Sequence, residues 1–259
     1  LDGEAQKGVY PKDVILEVLG RIRADGAVYK AIDFTGSYVE KLNVAGRMTI
    51  CNMAVEMGAK TAYMQPNADV LNYVDKRAVR PYEVQFTDPD FQYEESYVFD
   101  VSKIEPNLAC PSSVENVHPL SEVVANGPIK LNQGYIGSCT GGRVEDIAIA
   151  AKILKGRHIP EYTRLIVVPA SNEVMQECMK AGYIQDLMNA GATITTPGCG
   201  ACLGAHEGIL APGEVCITST NRNFPGRMGS TEALMYLASP ATVAASMVNG
   251  CITDPREFL

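Results

Sequence analysis

Apolar positions near the start of the chain recur at helical spacing. Pro11-Lys12-Asp13 opens a helix in which Val14, Ile15, Val18, Leu19 and Ile22 share one stripe, and Gly26 lies beyond its end. Ala31 to Phe34 reads as a short strand. Met48 to Lys60 is mostly small or apolar, which predicts a buried segment. Asn52 and Glu56 stand four apart in it, on one face if the segment is helical. A carboxylate in such surroundings needs a partner or a function, and a structural salt bridge meets that need as well as a catalytic role does. From Pro66 to Asn107 the periodicity dissolves into Asp, Glu, Tyr and Pro, with strand-like runs only at 83–86 and 97–101. Pro106, Pro111, Pro119 and Pro128 punctuate the stretch up to residue 128.

After Pro128 the pattern becomes regular. A strand over 132–136 precedes a helix over 144–154. A strand over 165–168 precedes a helix over 173–179, with a continuation through Ile184 to Met188. A strand over 192–195 leads to a glycine-rich turn and a short helix. Val215 to Ser219 is a further strand, followed by a loop to Ser230, a helix over 231–237 and a last helix capped by Pro240-Ala241-Thr242. Alternation at this spacing predicts an α/β fold with a largely parallel sheet covered on both faces. The change of pattern divides the chain into two α/β domains, 1–110 and 111–259. Ligands of such sheets gather at the carboxyl ends of strands.

Composition narrows the class. The chain has 259 residues, 46% hydrophobic and 20% charged, the balance of a globular protein. A net charge of -8 and the lack of a basic block argue against nucleic acid. No apolar run approaches the length of a membrane span. The N-terminus lacks an initiator Met and carries no signal-peptide pattern. A reducing cytoplasm and a chain continued upstream are therefore expected. The eight cysteines are too sparse for a disulfide scaffold. Cys51, Cys110, Cys178, Cys216 and Cys251 read as small buried apolar residues.

Cys139, Cys199 and Cys202 differ. Cys139 follows a strand in Ile136-Gly137-Ser138-Cys139-Thr140, and the other two stand in Pro197-Gly198-Cys199-Gly200-Ala201-Cys202-Leu203-Gly204. All three sit at predicted carboxyl ends. Three thiolates can hold three irons of a four-iron cluster and leave the fourth open as a Lewis acid. Zinc completed by His206, a redox dithiol and plain core cysteines are the alternatives. Asn221-Arg222-Asn223-Phe224-Pro225-Gly226-Arg227 places two guanidiniums five residues apart on a Gly/Pro-shaped loop. Such a pair suits a substrate with several carboxylates, although solvated surface arginines would look the same.

Together with Ile50-Cys51-Asn52-Met53-Ala54-Val55-Glu56, these motifs resemble the aconitase family. The similarity is closest to large subunits of two-subunit isopropylmalate dehydratases and homoaconitases. It runs through nearly the whole chain and implies an aconitase-like fold of two doubly wound α/β domains. It implies a 4Fe-4S cluster on Cys139, Cys199 and Cys202, with one iron free of protein ligands. Asn52 and Asn221 match residues that hydrogen-bond around the cluster. Glu56 matches the catalytic carboxylate at the open iron, and Arg222 and Arg227 match substrate-carboxylate binders. The implied activity is a hydro-lyase that isomerises a 2-hydroxy di- or tricarboxylic acid, foremost 3-isopropylmalate in leucine biosynthesis. A homoaconitase or dimethylmalate dehydratase large subunit is the alternative within the family. A non-catalytic zinc-binding or scaffold module is the alternative outside it.

Departures accompany the resemblance. The family usually has Asn after Cys-Thr, where this chain has Gly141. The family's N-terminal domain brings His and Asp-Ser-His motifs, and His118, His158 and His206 stand in none. The expected partners are therefore that domain, a small swivelling subunit and a carboxylic-acid substrate, with no activity from this chain alone.

Overall fold

The computed structural model describes residues 1–259. Helix α1 (Pro11–Ile22) starts on a proline, whose missing N–H is unneeded there, and buries Val14, Ile15, Leu16, Val18 and Leu19. Asp13 Oδ2 accepts the Tyr10 N–H at 2.9 Å and closes its first turn. Strand β1 (Ala31–Asp33) and helices α2 (Ser37–Lys41) and α3 (Val44–Met53) follow. A 3-10 turn, Ala54–Met57, extends α3. Gly58 ends it at φ +82°, a left-handed conformation that side chains resist. Strand β2 (Thr61–Tyr63) pairs in parallel with β1, and α4 (Ala68–Asp75) follows.

No helix or strand forms between Asp75 and Val101. The runs at 83–86 and 97–101, expected as strands, find no neighbouring strand to pair with beyond a single bridge from Asp2 to Asp100. Val84, Phe86, Tyr97 and Val98 are exposed. Alternating apolar residues make a strand only where a sheet edge and a core receive them.

The remaining elements are β3 (Asn107–Ala109), β4 (Val117–Pro119), α5 (Leu120–Ala125), β5 (Gln133–Gly137), α6 (Ser138–Gly141), α7 (Val144–Leu154), β6 (Arg164–Val168), α8 (Asn172–Lys180), α9 (Tyr183–Asn189), β7 (Thr193–Ile194), β8 (Val215–Thr218), β9 (Leu234–Leu237) and α10 (Pro240–Asn249). Seven strands form one sheet in the order β4-β3-β9-β8-β5-β6-β7. The run from β9 to β7 is parallel, and β3 joins it antiparallel to both β9 and β4. The mostly parallel α/β sheet expected from the pattern is thus present. The helix expected over 231–237 is instead strand β9. Its Glu, Ala, Leu and Met favour helix, but register with β8 from Val215–Leu234 to Thr218–Leu237 overrides that preference.

Alternation along the central strands separates the two faces of the sheet. Ile136, Leu165, Val167 and Ile217 enter an apolar cluster with residues of α7 and α10. Tyr135, Ile166, Val168 and Cys216 enter a smaller cluster on the other face, with Ala201, Cys202, Met228 and Met235. Helices cover the first face. The loops after β7 and β8 cover the second, so they lie over the same side of β5. A third cluster gathers α1, α2, α3 and their neighbours, from Leu1 to Val114, and adds Leu237 of β9.

All eight cysteines are free thiols. Cys178 and Cys216 are fully buried, and burial pushes their thiols up to about 11 and about 12. They are inert core residues, as expected. Cys51, Cys110 and Cys251 are half-buried.

Candidate metal centre and substrate cradle

The strand β5 ends at a junction the sheet holds tightly. Ser138 follows it at φ +65°, a left-handed conformation uncommon for a residue other than glycine. Its Oγ is buried without a partner. Strain of this kind persists where surrounding contacts impose it, and it aims Cys139 outward. The Ser219 hydroxyl accepts the Gly137 N–H at 3.0 Å and donates to the Gly141 carbonyl at 3.2 Å. A Cβ added at Gly141 would meet Ser219 Oγ at 2.3 Å. The glycine thus admits the close approach of the β8 loop, which an Asn at 141 would have to push back.

Helix α3 meets this junction from the other side. Thr49 donates to the Thr140 carbonyl at 3.1 Å, and Thr140 donates to Asn52 Oδ1 at 2.6 Å. The Asn52 amide then faces the Cys139 sulfur at 3.4 Å.

The second cysteine turn follows β7. Tyr135, on the loop-covered face of β5, donates its hydroxyl to the Cys199 carbonyl at 2.8 Å. Gly200 sits at φ +51°, and a Cβ there would lie 2.6 Å from that hydroxyl. The short 3-10 helix Gly200–Leu203 then buries Cys202 while Cys199 stays exposed. Cys202 Sγ lies 3.8 Å from Asn221 Oδ1 and 4.0 Å from Arg227 Nη2.

The loop after β8 brings these groups to Glu56. Asn221 Nδ2 donates to Glu56 Oε1 at 2.9 Å. Arg222 Nε donates to both carboxylate oxygens, at 2.9 and 3.1 Å. The Glu56 side chain is only 9% exposed. Asn223, 2% exposed, anchors the loop by donating to the carbonyls of Ala109, Cys110, Ser113 and Met235. Arg227 lies 5.7 Å from the Phe224 ring centre, and its buried Nε has no partner.

Seven of the eight singled-out residues therefore connect through contacts: Asn52 with Cys139, and Glu56, Asn221, Arg222, Arg227 and Cys202 in a second chain. Cys199 joins through its backbone, accepting the Cys202 N–H at 3.1 Å. His206 is exposed and takes no part. No three His, Cys, Asp or Glu side chains close on a single ion, so the compact Cys3His zinc arrangement is not formed.

A cluster needs a wider opening than one ion, with thiolates at its corners and N–H donors toward sulfur. The donor set here fits that need. The Cys139 and Cys202 thiols face N–H groups of Asn52 and Arg227, Cys199 stays open to solvent, and the unpartnered Arg227 Nε marks unsatisfied donor capacity beside Cys202. Sequence reasoning missed Tyr135, Thr140 and Asn223, which place the site residues. A tyrosine inside a strand and an asparagine inside a loop motif reveal such contacts only once distant segments meet.

An α/β sheet with a thiol-bearing site at the carboxyl ends of its parallel strands defines a class, and sequence comparison narrows it. Residues 1–250 match the family described as Aconitase family (aconitate hydratase), and the chain belongs to it. It is 51% identical over 262 residues to the "3-isopropylmalate dehydratase large subunit 1" of Methanopyrus kandleri, covering all of this chain and 61% of that protein. It is 49% identical over 255 residues to the "Probable methanogen homoaconitase large subunit" of Methanothermobacter thermautotrophicus, covering 98% and 59%. It is 47% identical to the "3-isopropylmalate dehydratase large subunit" of Hydrogenobaculum sp., again covering 98% and 59%. The chain spans about three fifths of the length of these relatives. No helix is long and apolar enough to cross a membrane.

Proposed function

We propose that this chain is the cluster-binding portion of the large subunit of an iron–sulfur hydro-lyase acting on a 2-hydroxy di- or tricarboxylic acid in the cytoplasm. One observation carries the proposal. Glu56, from the 3-10 turn after α3, is held by Asn221 and Arg222 of the β8 loop in the same constellation where Asn52 reaches Cys139 and Arg227 reaches Cys202.

Cys139, Cys199 and Cys202 hold the 4Fe-4S cluster, which when bound supplies one iron without a protein ligand as a Lewis acid toward a substrate hydroxyl. Asn52 and Asn221 orient the thiolates and the groups beside them. Arg222 and Arg227 bind substrate carboxylates. A carboxylate arriving at Arg222 competes with Glu56 for the same guanidinium and so frees Glu56 to give a proton to the hydroxyl that leaves as water and to take one back from the water that re-adds. The base that removes the proton alpha to a carboxylate comes from a small swivelling subunit, and an N-terminal domain completes the pocket. This chain alone is inactive. The division near residue 110 belongs to the proposal too. One apolar cluster draws on 1–114 and adds Leu237, and a second of equal size draws on 108–252, with β3 pairing into the sheet at the junction.

The substrate foremost in this proposal is 3-isopropylmalate. The homoaconitase name of a relative at 49% identity favours a second substrate, a homocitrate-type acid. Anaerobic reconstitution with iron and sulfide tests the cluster. A three-iron EPR signal that converts to a four-iron one on adding ferrous iron is expected. Stoichiometric zinc with no iron uptake would replace the proposal with the zinc module. Assays with a full-length large subunit and candidate small subunits then separate the two substrates.

A further inference from the structure

Helix α1 carries a charge that the proposed chemistry does not use. Lys12 is 2% exposed. Its ammonium donates to the Thr220 carbonyl at 2.5 Å and touches Met53 Sδ at 3.3 Å. It makes no salt bridge. A buried ammonium without an ion-pair partner is costly, and a Leu or Met of similar length would fill the space without that cost. Burial pushes its pKa down to about 8, which leaves it charged at neutral pH. The acidic groups that favour its ionised form are, largest effect first, Glu56, Cys202, Asp146 and Asp13. The first two belong to the site. The two residues it touches, Thr220 and Met53, are each one position from Asn221 and Asn52. One buried cation therefore contacts both segments that carry the asparagines, from beneath.

We propose that Lys12 is the positioning cation of the site. Its N–H pins the Thr220 carbonyl and thereby sets Asn221 and Arg222 against Glu56. Its charge offsets the negative charge that Glu56 and the thiolates collect. The pinning stands on contacts within this chain, and only the charge effect rests on the cluster proposal.

Two variants of the purified protein test it. Lys12→Met keeps the volume and removes both donor and charge, whereas Lys12→Arg keeps both. Hydrogen exchange on the metal-free protein reads the pinning. Lys12→Met is expected to speed exchange across residues 219–223 about tenfold while α7 and α10 stay protected, with recovery in Lys12→Arg. Unchanged exchange over 219–223 overturns the pinning. Loss of protection throughout α7 and α10 overturns it as well, because Lys12 would then be a general folding residue. The midpoint potential of the reconstituted cluster, followed by EPR, reads the charge. A nearby cation favours the reduced, more negative state. Lys12→Met is therefore expected to titrate at lower potential than the wild type, with Lys12→Arg close to the wild type. Equal potentials in wild type and Lys12→Met overturn the charge effect. A wild-type protein that takes up no cluster refutes the functional proposal instead, and the exchange measurement still decides the pinning.

Discussion

The two cysteine turns follow the parallel strands β5 and β7 but are built differently. The turn at Cys139 is held from both sides. Ser219 ties Gly137 and Gly141, Thr49 and Asn52 of α3 tie Thr140, and Arg143 Nη2 reaches the Cys139 carbonyl at 3.1 Å. Ser138, Thr140 and Gly141 are buried. The turn at Cys199 and Cys202 is held by fewer and longer contacts. Beyond its own backbone bonds it has the Tyr135 hydroxyl, a bond from the Gly198 N–H to the Pro169 carbonyl at 3.2 Å, and the long contacts of the Cys202 sulfur with Asn221 and Arg227. Three glycines run through it. The difference teaches how a site for a bulky group is assembled. One arm is tied by many short contacts to two neighbouring segments, and the other by few.

Cys139→Ala breaks the closely tied arm where it acts and is expected to abolish cluster retention. Iron and sulfide analysis after reconstitution reads this, and wild-type contents would refute the ligand assignment. Thr140→Val keeps the shape but strands Asn52 Oδ1. It is expected to cost about 1.5 kcal/mol in denaturant unfolding, the cost of leaving the half-buried Asn52 oxygen unpaired. Arg222→Lys loses the guanidinium geometry where the two halves meet. About tenfold weaker substrate binding in the full complex is expected, with cluster content unchanged. Unchanged kinetics would remove Arg222 from the substrate site. Tyr135→Phe touches the sparsely tied arm and is expected to cost only about 1 kcal/mol, one ordinary hydrogen bond. A cost above that of Thr140→Val would reverse the ranking of the two arms.

A further way to test the fold concerns pH. Desolvation of the half-buried Asp146, at the start of α7, pushes its pKa from 3.8 up to about 7. The folded state then binds more protons than the unfolded state between those values. Stability from this group is present below 3.8 and lost as pH rises through about 7. Asp146→Asn keeps the acceptor for the Arg143 N–H but cannot ionise. Its stability relative to wild type should therefore grow across that interval and level off above it, in unfolding midpoints measured at several pH values. A constant difference would mean the carboxyl titrates normally.

Much of the fold is legible in the sequence because local and tertiary demands agree. β5, β6 and β8 are apolar runs bounded by Gly, Pro and polar turns, and the pattern of α7 predicts the limits it has. Thr231 to Leu237 misleads because its helix-favouring residues are recruited to extend a sheet that propensity does not know about. The candidate site is legible where chemistry is concentrated in short motifs, at the three cysteines and at Asn221 to Arg227. Asn223, Tyr135 and Lys12 are not legible as site residues. Each acts by reaching the backbone of a segment far away in the chain, and only the packing of β3, β5 and α1 creates that proximity.

The unequal exposure of the three thiols has a further consequence. Cys139 and Cys199 are open to solvent, whereas Cys202 lies beneath Arg227 and Asn221. Among these three, an alkylating reagent added to the bare chain has two quick targets and one slow one, and damage proceeds from the rim of the site to its floor. Blocked outer thiols leave Cys202 intact but isolated. A count of reactive sulfhydryls would then overstate how much of the site can still be rebuilt.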